Sequence, residues 1–171
     1  MKTKMLVVDS IRDQEWLESL LADIWYRYFI DVEQKNDVHI RYGRKAKRRL
    51  GSISLDPRDR KSSIITINPL YQDMEVPEYV VVATIVHEMT HYAHGFNSPL
   101  EQKQKHPHSG GVIRKEFAER GLEEMYIQQQ KWLKESWVPI VLRYFPDQPV
   151  VRRRSVSRKY VVRVQTPWWM R

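Results

Sequence analysis

The chain has 171 residues and a mass of 20.6 kDa, enough for one well-cored domain and short for two. It contains no cysteine, which excludes a disulfide framework, a Cys-ligated zinc ribbon and a thiol nucleophile. Hydrophobic residues at 42% and charged residues at 29% exclude wholesale disorder, and a net charge of +8 points toward polyanionic partners.

At the start of the chain, Lys2 and Lys4 precede a short apolar stretch that Asp9 interrupts, too little for a secretory h-region. The longest apolar run, residues 80–86 with Thr84 inside it, cannot span a bilayer. Together these predict a cytoplasmic protein with no membrane partner. Ser10 followed three residues later by Asp13 imitates a capping box, with Asp in place of Glu. Leu17, Leu20, Leu21, Ile24, Trp25 and Tyr28 then recur at helical spacing. Three β-like runs follow at residues 38–42, 50–55 and 63–68. The last is rich in isoleucine and is stopped by Pro69, and Asp56-Pro57 begins the turn before it.

A second helix is predicted from Pro77, with Glu75 and Glu78 near its positive end. It is apolar on nearly every side through Val86, which makes it central and buried, and Gly95 is its C-cap glycine. After a polar loop at residues 96–109, a third helix fits residues 110–120 and a fourth fits residues 122–137, ending before Pro139. The fold class is therefore α+β: a small, mostly antiparallel sheet of about three strands, packed on an N-terminal and a central helix, followed by C-terminal helices. The expected division is a domain over residues 1–145 and a basic extension over residues 146–171. Eight basic residues and a single acid lie from Arg143 onward, so that stretch carries +7 of the net +8.

The chemistry sits in His87-Glu88-Met89-Thr90-His91, an HExxH motif on the central helix. Histidines at i and i+4 share one helix face a turn apart, so both imidazoles can reach one ion. Glu88, one step round, is placed to act on a water rather than to ligate. The plain alternative, two ordinary helix histidines, is disfavoured because chance gives this motif in about one chain in a hundred of this composition. A catalytic zinc also needs a third ligand and an open position. His108, in the turn Pro107-His108-Ser109-Gly110-Gly111, is the leading choice. His106 and the acids Glu116, Glu119, Glu123 and Glu124 are alternatives. His94 lies on the same face as His87 and His91, but three ligands along one straight helix do not converge on one tetrahedron, so it is assigned to the rim. The metzincin pattern fails because Gly stands at 95 rather than 94, and Asn97 occupies the position of its third histidine.

In the order of its elements the chain resembles the SprT-like metallopeptidase family, which includes the bacterial SprT proteins and the eukaryotic Spartan proteases. The resemblance covers roughly residues 12–120. It rests on the helix from Trp16 to Phe29, Arg49-Leu50-Gly51, the isoleucine strand into Asn68-Pro69-Leu70, residues 81–86 running into the HExxH motif, and a later histidine before a helix carrying Phe117. It implies a minimal zincin-like domain and one Zn²⁺ held by His87, His91 and His108, the last at the position of the family's third ligand. It implies Glu88 as the catalytic base of an endopeptidase acting on protein or peptide substrates, DNA-crosslinked ones in the better-studied relatives. Two departures stand out. Ser109-Gly110-Gly111-Val112 replaces the family's usual Gly-Pro pair and aromatic, and without cysteine there is no C-terminal zinc ribbon.

Arg152, Arg153, Arg154, Arg158 and Lys159, with Tyr160, Trp168 and Trp169 nearby, have the composition of a nucleic-acid grip, which would place the protein at the nucleoid. A second basic cluster runs over residues 41–49. Tyr92, His94 and Arg114 are the candidates for stabilising an oxyanion, and residues 64–67 are the expected cleft edge for an extended substrate. The competing reading is a nucleic-acid-binding protein whose zinc is structural or catalytically idle.

Overall fold

A computed structural model of the protein describes residues 11–146. Seven main elements follow in order: α1 (Gln14–Tyr28), β1 (Val38–Tyr42), β2 (Gly51–Leu55), β3 (Ser63–Ile67), α2 (Glu78–Ala93), α3 (Val112–Glu119) and α4 (Glu123–Tyr144). Short 3-10 turns at Pro69–Gln72 and Ser109–Gly111 lead toward α2 and α3. The α+β class stands.

Helix α1 is capped by Asp13, whose Oδ1 accepts a hydrogen bond from the Trp16 N–H at 2.8 Å. The cap therefore lies at Asp13 rather than at Ser10, which falls outside the described residues. Leu17, Leu21 and Ile24 turn the inner face of α1 into the core.

The sheet order is β1-β3-β2. β3 pairs antiparallel with β2 (Gly51 opposite Ile67, Leu55 opposite Ser63) and parallel with β1 (Val38 opposite Ser63, Tyr42 opposite Ile67). The sheet is thus mixed, with one parallel pairing where a mostly antiparallel sheet was expected. The reason lies in the connection over residues 43–50, which carries the chain past the place that β3 later fills. That connection is pinned: Asn68 Nδ2 donates to the Ala46 and Arg49 carbonyls at 2.6 and 2.8 Å, and Trp137 Nε1 donates to the Lys47 carbonyl at 2.9 Å. The isoleucines of β3 are buried on both sheet faces, as a central strand requires.

Helix α2 packs against α1, α3, α4 and the sheet, and nearly all of its side chains are buried. Its polar residues are satisfied inside. Thr84 Oγ1 and Thr90 Oγ1 donate to carbonyls one turn back, at 2.9 Å each, and Gln129 Nε2 on α4 donates to Thr84 Oγ1 at 2.9 Å. Ile85, Val86 and Met89 are fully buried, each worth roughly 1.5–3 kcal/mol of burial. Gly95 closes the helix with φ +80°.

Helix α4 runs seven residues beyond the end expected from Pro139, to Tyr144. A proline inside a helix forfeits one backbone hydrogen bond. Here packing outweighs that loss, because Trp137, Ile140 and Val141 are buried on either side of it. Arg143 extends the same end, donating to Asp73 Oδ2 at 2.8 Å and to Glu75 Oε2 at 2.7 Å.

Candidate metal centre

Helix α2 brings His87 and His91 to one face, and the turn before α3 returns His108 over them. His108 Nε2 lies 3.2 Å from His87 Nε2 and 3.1 Å from His91 Nε2. The three ligating nitrogens lie within 4.8 Å of one another. A ring nitrogen carries either one hydrogen or one lone pair, so His108 Nε2 cannot make two full hydrogen bonds at once. Three lone pairs converging on one divalent ion satisfy all of them. Four ligands at about 2.0–2.1 Å in a tetrahedron stand roughly 3.3 Å apart, close to the observed spacing. The cluster is one that can hold a metal ion.

Its electrostatics agree. Burial, aided by the neighbouring His108, pushes His87 down to about 4. Burial together with His87, His108 and His94 pushes His91 down to about 3. Both rings are therefore neutral at physiological pH, the form that ligates. Beside them Glu88 is buried and its carboxyl is pushed up to about 8 by desolvation, opposed by a hydrogen bond from the Ile53 backbone. A nearby cation favours the carboxylate instead.

The wall opposite α2 is β2. Gly51 lets the strand come close, since a Cβ there would stand 2.9 Å from Glu88 Oε1 and 2.9 Å from Thr84 Cγ2. The resulting cleft of about 320 Å³ is lined by the three histidines, Glu88, Gly51, Ile53, Phe96 and Asn97 among others. A larger groove of about 670 Å³ lies between α1 and β1, lined by Trp25, Tyr26 and Ile30, and among the described residues no metal-ligating cluster opens into it.

The other residues that the sequence put forward fall elsewhere. His94 is buried behind the cluster, with Nε2 2.9 Å from Glu116 Oε2. Glu116 Oε1 in turn accepts from Arg120 Nε and Nη2 at 2.9 and 2.7 Å, and Arg120 reaches Asp31 Oδ1 at 2.7 Å and the Tyr28 carbonyl. This chain of contacts ties α3 to α2 and to the end of α1, and it takes Glu116 out of the ligand candidates. Tyr92 is fully buried and donates to Asn36 Oδ1 at 2.9 Å. Arg114 pairs with Glu123 at 2.8 Å. None of Tyr92, His94 and Arg114 lines the cleft. His106, Glu119, Glu123 and Glu124 do not join the metal cluster. Residues 64–67 are the central strand, occupied on both edges, so the cleft edge is β2 and not β3. Arg152, Arg153, Arg154, Arg158 and Lys159 lie outside the described residues.

Gly51, Ile53 and Asn97 are site residues that sequence reasoning misses. The signals it offers are Gly51 in the Arg49-Leu50-Gly51 run and Asn97 at the metzincin histidine position, neither of which says that the residue lines the cleft. No family profile, curated protein or solved structure matches the chain. No helix among the described residues is long and apolar enough to cross a membrane.

Proposed function

We propose that the protein is a zinc-dependent endopeptidase of the SprT-like kind, with His87, His91 and His108 as ligands and Glu88 as general base. The observation that carries this reading is the meeting of three imidazole nitrogens beside a buried carboxylate and a strand edge. Among the described residues no fourth ligating side chain joins the cluster, which favours an open site over a closed structural one. The all-imidazole donor set suits zinc.

When bound, a divalent ion there acidifies water and polarises a peptide carbonyl. Glu88 takes the proton of the attacking water as its oxygen bonds to the carbonyl carbon. It returns that proton to the nitrogen as the C–N bond breaks. The Ile53 backbone keeps the carboxylate turned to the cleft. The substrate runs extended along β2.

Glu88→Gln is the test. It should retain one zinc per chain by elemental analysis and hydrolyse unfolded casein about 10²–10⁴-fold more slowly. Unchanged turnover overturns the mechanism.

The reading extends to substrates held on nucleic acid. Its support is charge: the C-terminal segment is basic, and Arg41, Arg44, Lys45 and Arg49 are exposed without an ion pair among the described residues. Salt-dependent DNA binding should weaken on deleting residues 147–171, and absence of binding at low salt refutes this part.

A further inference from the structure

Antiparallel strands alternate between residues whose backbone groups face the partner and residues whose groups face away. The Asn68 N–H donates to the Leu50 carbonyl at 2.9 Å and the Asp56 N–H to the Ser62 carbonyl at 2.8 Å. Even-numbered residues of β2 therefore face β3, and Gly51, Ile53 and Leu55 turn their backbone groups to the free edge, where Gly51 and Ile53 line the cleft. Both groups of the middle one are engaged: its N–H with Glu88, and its carbonyl with Asn97 Nδ2, which donates to it at 3.0 Å.

Asn97 is held in a special way. Its φ is +53°, the left-handed region, which asparagine tolerates better than most residues but still at a cost. A relay fixes its backbone there. Tyr92 donates to Asn36 Oδ1 at 2.9 Å, Asn36 Nδ2 to Ser63 Oγ at 2.9 Å, and Ser63 Oγ to the Asn97 carbonyl at 2.7 Å. A buried tyrosine on the metal helix thus ends, through three hydrogen bonds, in an amide seated on the cleft edge. The anchor is backbone, so the side chain can leave by rotating about its own χ angles while the loop stays in place.

We infer that the Asn97 side chain is a latch on the substrate edge, occupying the Ile53 carbonyl until the N–H of an extended polypeptide displaces it. The ligand class is unfolded or extended protein backbone, recognised without regard to side chain at this station. The inference rests on the peptidase reading for the direction of the substrate, but its test is a binding measurement.

The experiment uses the zinc-loaded full chain carrying Glu88→Gln, so that nothing is cleaved, and fluorescein-labelled β-casein as probe. Asn97→Gly keeps the left-handed backbone without strain and removes the amide. Asn97→Asp keeps the shape and removes the donor. Releasing one neutral hydrogen bond should lower the Kd of both variants about three- to tenfold. A raised Kd makes Asn97 a substrate contact and overturns the latch. An unchanged Kd with a lowered Tm makes it merely structural and overturns the latch as well, and so does a probe that binds none of the three proteins. Failure of casein hydrolysis by the native chain, with Kd still falling in the variants, sinks the peptidase reading alone.

Discussion

His87 and His91 stand a turn apart on a helix whose remaining faces are buried, whereas His108 hangs from an exposed turn. The first pair is oriented by a packed core that exists before any ion arrives. The third depends on Gly110 and Gly111, with φ of +67° and +70°, and on α3 being docked behind it. The cluster thus combines a rigid half, which would fix where an ion sits, with an adjustable half, which would close over it. The tie that docks α3 is the chain of contacts from buried His94 through Glu116 and Arg120 to Asp31 at the surface.

Removing one ligand from each half puts this contrast under the greatest strain. Closed structural zinc sites with four protein ligands are worth about 10–16 kcal/mol, roughly 3 kcal/mol per ligand, so losing either histidine of this trio should weaken zinc binding by about 10²-fold or more. The halves should differ in the metal-free protein. His91→Ala empties buried space and lowers the apo Tm, while His108→Ala leaves it unchanged. Equal apo Tm values for both variants contradict the rigid half. Next in size is Glu116→Ala, which strands the buried His94 and should cost about 3 kcal/mol in chemical denaturation, with zinc affinity falling alongside. Burial pushes the Glu116 carboxyl up, but hydrogen bonds from His94 and Arg120 outweigh it and hold it below its ordinary 4.5. Its stabilising share is therefore full above that value and is lost as the pH falls through the lowered one. Glu116→Gln should flatten the acid limb of a Tm-against-pH curve, and an unaltered limb argues against the tie.

Gly51→Ala tests the wall that faces the rigid half. A methyl 2.9 Å from Glu88 Oε1 and Thr84 Cγ2 must displace the Glu88 carboxylate or draw β2 from α2, with a stability loss of about 1–3 kcal/mol and lower turnover at unchanged zinc content. The smallest effect belongs to Gly110→Ala or Gly111→Ala. Each added Cβ meets open space, so only left-handed strain acts, about 1 kcal/mol or roughly fivefold in zinc affinity by competition titration.

Much of this is legible in the chain because the relevant signals are local. The HExxH spacing, the isoleucine run of β3 and the proline before α2 each act within a few residues, and His108 follows from ligand geometry and resemblance. What sequence reasoning misses depends on contacts far apart in the chain. The parallel pairing of β1 follows from where the connection over residues 43–50 is pinned, by Asn68 and Trp137. Periodicity cannot say which of three strands lies in the middle, so it offers β3 as an edge when it is the centre. Pro139 reads as a helix stop unless the burial of Ile140 and Val141 beyond it is known. His94 falls on the metal face of a helix projection because such a projection ignores what α3 places against it.

The near-contact between the first residue of β2 and the metal helix bears on how such a centre can drift through evolution. Solvent-facing positions can change with little loss, but a site where one added carbon atom would stand 2.9 Å from Glu88 Oε1 and Thr84 Cγ2 accepts a larger residue only if those side chains, or the strand and helix that carry them, give way. Distant descendants of this chain, however scrambled elsewhere, should favour glycine at that place for as long as Glu88 and Thr84 stay where they are.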